Sequence, residues 1–93
     1  MTSFLLAYDL VNESGSHDYQ PLWDELKKWG GQKTQYSLWL VADNSTAKAV
    51  HDHFKGFLDK DDRLWVAELV RNNYYSNAIS GTNKWIAENP PDR

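Results

Sequence analysis

The chain has 93 residues, no cysteine, five tryptophans, five tyrosines and a formal net charge of −3. That length makes one domain (1–93), and the missing cysteines exclude disulfide staples and thiolate metal sites. The mild acidity withholds the global attraction to nucleic acid that a basic domain carries, and 41% hydrophobic residues exclude disorder. So short a chain buries a modest share of its surface, which makes it a candidate for stabilisation by association. Its N-terminal apolar run lacks a basic lead and is far too short for a signal peptide or membrane span. The expectation is a cytoplasmic protein with no membrane partner.

Residues 4–10, "FLLAYDL", form a nearly continuous apolar run, the pattern of a central strand, and Asp9 sits at its end. The polar "VNESGSHDYQP" reads as a loop whose Pro21 opens a helix, where its missing N–H costs nothing. Tyr19, Leu22, Trp23, Leu26 and Trp29 then recur at helical spacing, and Gly30-Gly31 end the helix. Residues 32–42, "QKTQYSLWLVA", are β-prone but too long for one strand, so two strands meeting at a turn or bulge around Tyr36-Ser37 are expected. "DNSTAK" offers N-caps for a second amphipathic helix carrying Ala47, Val50, Phe54, Phe57 and Leu58. Residues 64–70, "LWVAELV", are the next strand, and "TNKWIAE" a short last helix stopped by Pro90-Pro91.

This order predicts an α+β domain of the ferredoxin-like βαββαβ type. Its core spans 3–70, with an antiparallel sheet, two helices on one face and a C-terminal extension over 71–93. Such a sheet leaves one face open, to be covered by Trp39, Trp65 or Tyr74-Tyr75, from this chain or from a second copy.

"YDL" closing the first strand, a Gly-ended amphipathic helix and "QYSLWLV" after it carry a resemblance, as does "DDRLWVAEL" at 61–69. In this order and length they resemble the CRISPR-associated small dimeric nuclease superfamily, whose members include the spacer-acquisition partner protein. The likeness is closer to its stand-alone SinR-like and virulence-associated-protein-D-like branch, and it spans roughly residues 4–70. The resemblance implies a ferredoxin-like homodimer in which Asp9 holds a divalent cation, Mg²⁺ or Mn²⁺, near the dimer axis, with Tyr8 and Ser37 as neighbours in the catalytic site. It departs from the acquisition proteins after the Asp, where "LVNESGSHD" carries no Arg or Lys. Single-stranded RNA is therefore the expected substrate rather than duplex DNA.

Two readings of Asp9 stand side by side. It is either a hard oxygen ligand, two copies of which would favour a bridging cation, or an acceptor that pins the loop at the strand end. Asn12, Glu13, His17 and Asp18 follow as outer-shell candidates, with His17 the one acid–base candidate among them. Ser37 has no adjacent base and is offered as a phosphate contact or a support for Asp9. "HDH" at 51–53 lacks the four-residue spacing of a helical metal pair and reads as polar surface. From 26 to 42 there are three lysines and no acid, so Lys27, Lys28 and Lys33 with Tyr36 form the candidate nucleic-acid surface. The rival to an endoribonuclease is a non-catalytic dimeric adaptor of the same fold, binding a protein partner through its sheet face and aromatic tail.

Overall fold

The structure, a computed structural model, describes residues 1–11 and 17–93. Its elements run β1 (Thr2–Asp9), α1 (Gln20–Lys28), β2 (Gln32–Gln35), β3 (Leu38–Asp43), α2 (Ala47–Lys55), β4 (Arg63–Glu68) and α3 (Thr82–Glu88). The four strands form one sheet in the order β2-β3-β1-β4, every neighbouring pair antiparallel. This is an α+β architecture compatible with the expected βαββαβ unit.

Strand alternation sorts the side chains. Phe4, Leu6 and Tyr8 of β1, with Trp39 and Val41 of β3, point to one face, where Leu22 and Leu26 of α1 and Val50 and Phe54 of α2 close over them. Both helices are specified locally. Pro21 stands in the first turn of α1, and Gly30, at φ +73°, closes its end in the left-handed conformation. Gly31 has no room for a side chain, since a Cβ there would lie 2.7 Å from the Leu26 carbonyl oxygen. At α2, Thr46 Oγ1 accepts the Ala49 N–H at 3.1 Å, the cap expected from "DNSTAK".

The expected break at Tyr36-Ser37 is present. β2 meets β3 with a register shift between Lys33 and Gln35, and the chain turns before Leu38. The Tyr8 N–H donates to the Ser37 carbonyl at 3.0 Å, tying this turn to the end of β1. The last core strand is shorter than 64–70. It is Arg63–Glu68, extended by one bond from the Leu69 N–H to the Ser3 carbonyl at 2.8 Å, while Val70 lies outside.

The other face of the sheet is half covered. α3 lays Trp85 against Leu40 and Leu69, with Leu5, Ala42 and Ile86 around them. Trp85 Nε1 donates to the Gly30 carbonyl at 2.8 Å, and Ser3 Oγ donates to the Asn89 carbonyl at 2.8 Å. One expectation is corrected here. Trp39 does not cover this open face, because the strand parity turns it under the helices, where it is buried. Trp65 does lie on the open face, beyond α3, and is 76% exposed. Among the described residues no helix is long and apolar enough to cross a membrane.

A clip joins α1 to α2. His53 Nε2 donates to Glu25 Oε2 at 2.6 Å, Trp29 Nε1 donates to the same oxygen at 3.2 Å, and the His53 ring packs on Trp29, Phe54 and Phe57. So His53 is not plain polar surface. The hydrogen bond from His53, helped by that from Trp29, holds the Glu25 carboxyl below its ordinary value of 4.5. A carboxylate depressed in the folded state adds stability above the unfolded pKa, and that stability is lost as pH falls through the folded value. Urea midpoints should therefore drop as pH is lowered from about 5 to 3, and the drop should be smaller in Glu25→Gln. An equal drop in both proteins would place the acid sensitivity elsewhere.

Candidate functional site

Asp9 is the last residue of β1 and pairs in register with Arg63, the first residue of β4. Parity puts its side chain on the sheet face away from α1 and α2, the face shared by Ala7 and Trp65. A shallow hollow of about 250 Å³ opens there, lined by Ala7, Tyr8, Asp9, Arg63, Leu64 and Trp65. Asp9 Oδ2 lies 3.8 Å from Arg63 Nη1, with the two side chains 70% and 73% exposed. A pair that open to water contributes little, about 0–1 kcal/mol.

Among the described residues, no N–H bonds to the Asp9 carboxylate. Val11 and Tyr19, on either side of residues 12–16, are held by a different acid. Asp62 Oδ1 accepts the Val11 N–H at 2.9 Å, and Asp62 Oδ2 accepts the Tyr19 hydroxyl at 2.6 Å and the Asp59 N–H at 2.8 Å. Burial pushes the Asp62 carboxyl up, but these hydrogen bonds and the nearby His17 outweigh it and hold it below its usual range. Asp9→Ala should consequently leave stability within about 0.5 kcal/mol of wild type in urea unfolding. A loss near 1 kcal/mol would restore Asp9 as a loop anchor.

Of the residues nominated by sequence, four converge. Tyr8, Lys33, Tyr36 and Ser37 line a single cleft of about 440 Å³, together with Leu10 and Trp23. Tyr8 also lines the Asp9 hollow, so the two sites lie back to back across the end of β1. Lys27 and Lys28 line neither. They stand exposed in the last turn of α1, where their charge suits the helix C-terminus.

His17 is engaged elsewhere: its Nε2 donates to the Phe57 carbonyl at 3.0 Å and its ring lies on Tyr19. Asp18 Oδ1 accepts the Gln20 N–H at 3.0 Å. Asn12 and Glu13 lie outside the described residues. His51 pairs with Asp52, itself bound to Lys48.

A divalent ion finds an exposed oxygen ligand of the right hardness in Asp9, but among the described residues no second carboxylate pairs with it. Among the described residues no three His, Asp or Glu side chains cluster as a metal site would require. Among the described residues the donor chemistry fits Mg²⁺ or Mn²⁺ when a second copy brings its own Asp9.

Two residues of these sites were not singled out by sequence. Trp23, at helical spacing, read as a core residue, and Arg63 was hidden in the polar turn "DKDDR". Only the β1–β4 register could have placed Arg63 beside Asp9. No protein-family model matches the chain, and no solved structure matches it.

Proposed function

We propose that the chain is a ferredoxin-like member of the CRISPR-associated small dimeric nuclease superfamily, in its stand-alone branch. In this reading it works in the cytoplasm as a homodimer that cleaves single-stranded RNA with a divalent cation. The observation that carries the reading is the placement of Asp9. A carboxylate without a hydrogen bond among the described residues stands on the end of a rigid central strand, on the half of the sheet that α3 leaves bare. Trp65, exposed beside it, supplies the apolar area that a second copy would cover, and a two-fold axis there brings the two Asp9 carboxylates together. The strand order supports the fold, and the absence of basic residues after Asp9 favours a single strand, which needs fewer charged contacts than a duplex.

Asp9 from each copy would hold the cation, which supplies Lewis-acid polarisation of a phosphodiester when bound. Arg63 is the chain's own contribution at that place, a guanidinium suited to a phosphate oxygen once the carboxylate turns to a metal.

A second reading has its own observation. In one protomer Arg63 already pairs with Asp9, and among the described residues no other carboxylate joins it, as suits a non-catalytic dimeric adaptor that binds a protein partner. The deciding experiment is cleavage of a labelled single-stranded RNA and a duplex DNA with Mg²⁺, with Mn²⁺ and with chelator, wild type beside Asp9→Asn. Metal-dependent RNA cleavage lost in Asp9→Asn supports the nuclease. No cleavage by a wild type that sediments as a dimer supports the adaptor, and a clean monomer removes the shared-cation argument.

A further inference from the structure

We infer that the cleft between α1 and the β2–β3 turn is a nucleotide subsite. It takes one base against the ring of Tyr36, its phosphate at Lys33, and a base acceptor on the hydroxyl of Tyr8. The inference rests on the proposed function for its choice of a nucleic-acid ligand, but its evidence lies on the opposite face of the sheet from Asp9.

The cleft is built from strand and helix residues that sequence separates widely. Leu10 and Tyr8 come from the end of β1, Trp23 from α1, and Lys33, Tyr36 and Ser37 from the β2–β3 hairpin. Among the described residues no acid lines it, in a chain whose net charge is −3. Its one cation, Lys33 Nζ, has no carboxylate partner among the described residues and hangs 5.3 Å from the centroid of the Tyr36 ring. Tyr36 is 89% exposed, a flat aromatic surface held at the mouth by a hairpin turn that the Tyr8 N–H anchors to β1. A lone cation over an exposed aromatic ring matches a ligand that is itself an aromatic anion, its phosphate at the ammonium and its base on the ring.

The buried wall gives the more specific sign. The Tyr8 hydroxyl accepts Trp23 Nε1 at 3.2 Å and Trp39 Nε1 at 3.1 Å, which fills both of its acceptor positions. Its own proton has no acceptor among the described residues, although the residue is only 6% exposed. A buried donor left unpaired calls for a partner, and the cleft that Tyr8 and Trp23 both line is where one can enter. Ring nitrogens and carbonyl oxygens of bases are acceptors of the right kind. Ser37, exposed at the rim, adds a hydroxyl for the phosphate or sugar.

The test is a titration of the full chain with adenosine 5′-monophosphate, adenosine and inorganic phosphate, each in chelator, followed by NMR of backbone and indole N–H groups. The nucleotide should shift the Trp23 indole and the Lys33, Tyr36 and Ser37 amides. Tyr36→Ala and Lys33→Ala should each weaken it by about fivefold or more. Tyr74→Ala, which removes an equally exposed ring that does not line the cleft, should leave it unchanged. The assignment is overturned if the nucleotide shifts nothing at millimolar concentration, if all three variants behave alike, or if phosphate alone reproduces the shifts. Because chelator is present, the result stands apart from catalysis. A wild type that binds the nucleotide but cuts no RNA sinks the nuclease and keeps the subsite, and RNA cleavage undiminished in Tyr36→Ala and Lys33→Ala does the reverse.

Discussion

Trp85→Ala should release α3 from the sheet and cost about 3–5 kcal/mol, a large share of the total for a domain of this size. Trp85 is the only large side chain that α3 buries, and three losses coincide when it is removed. Its contacts with Leu40 and Leu69 disappear, those two side chains face water, and the Gly30 carbonyl loses its indole donor. The remaining anchors are the half-buried Ile86 and two small polar contacts, Thr82 Oγ1 with Thr34 Oγ1 at 2.9 Å and Ser3 Oγ on the Asn89 carbonyl. At seven residues α3 is too short to stay helical by propensity alone, so it should melt when its anchor goes. Hydrogen exchange separates local from global loss. Amides of Thr82–Glu88 should lose protection while those of β1 and β3 keep most of theirs. If α3 stays protected in the variant, the remaining anchors hold the helix and Trp85 is a passenger.

This dependence shows which parts of the fold a sequence can carry. α1 and α2 are written in local terms, with apolar residues at helical spacing, Pro21 and Thr46 at their starts and Gly30 at an end, so both were legible residue by residue. The Tyr36-Ser37 turn was legible from length and polarity. β3 was harder, because "SLWLVA" is apolar at every position after Ser37 and offers no alternation from which parity can be read. Trp39 therefore had no assigned face until pairing with β1 put it beside Leu6, under the helices. The same holds for the end of β4. "LWVAELV" stays apolar through Val70, while the strand ends at Glu68 although the register leaves Ser3 and Thr2 of β1 opposite Leu69 and Val70, and one bond, from the Leu69 N–H to Ser3, continues it.

The candidate sites divide in the same way. Asp9 at a strand end was legible, since one strand and one residue define it. The cleft was legible only as a set of unconnected nominees. Lys33, Tyr36 and Ser37 are neighbours in sequence, but Tyr8 and Trp23 join them through the β1–β3 pairing and the packing of α1. Lys27 and Lys28 were nominated on charge alone, which carries no information about which side of the sheet a helix end reaches. Arg63 beside Asp9 is a product of antiparallel register, and that register is a property of the whole sheet rather than of either segment.

Tyr8→Phe removes a single oxygen atom and should nonetheless destabilise the protein by about 2–3 kcal/mol. Two indole N–H groups share that oxygen. The one from Trp39 is buried and would be left without an acceptor, while the one from Trp23, nearer the cleft, can turn to water and loses less. The asymmetry gives a test more exacting than a single midpoint shift. If the cost is an orphaned donor, removing the donor as well should recover most of it. Trp39→Phe alone lowers stability by the volume it empties, and the double variant Tyr8→Phe, Trp39→Phe should be less destabilised than the two losses added together. Additive losses would mean that the hydroxyl contributes through packing and that the indole finds another partner. The indole proton resonances give an independent readout, with that of Trp39 moving further than that of Trp23. The same substitution deletes the buried hydroxyl donor that faces the cleft. It should therefore weaken adenosine 5′-monophosphate under conditions where Tyr8→Phe remains folded, joining the stability of this wall to the ligand it faces.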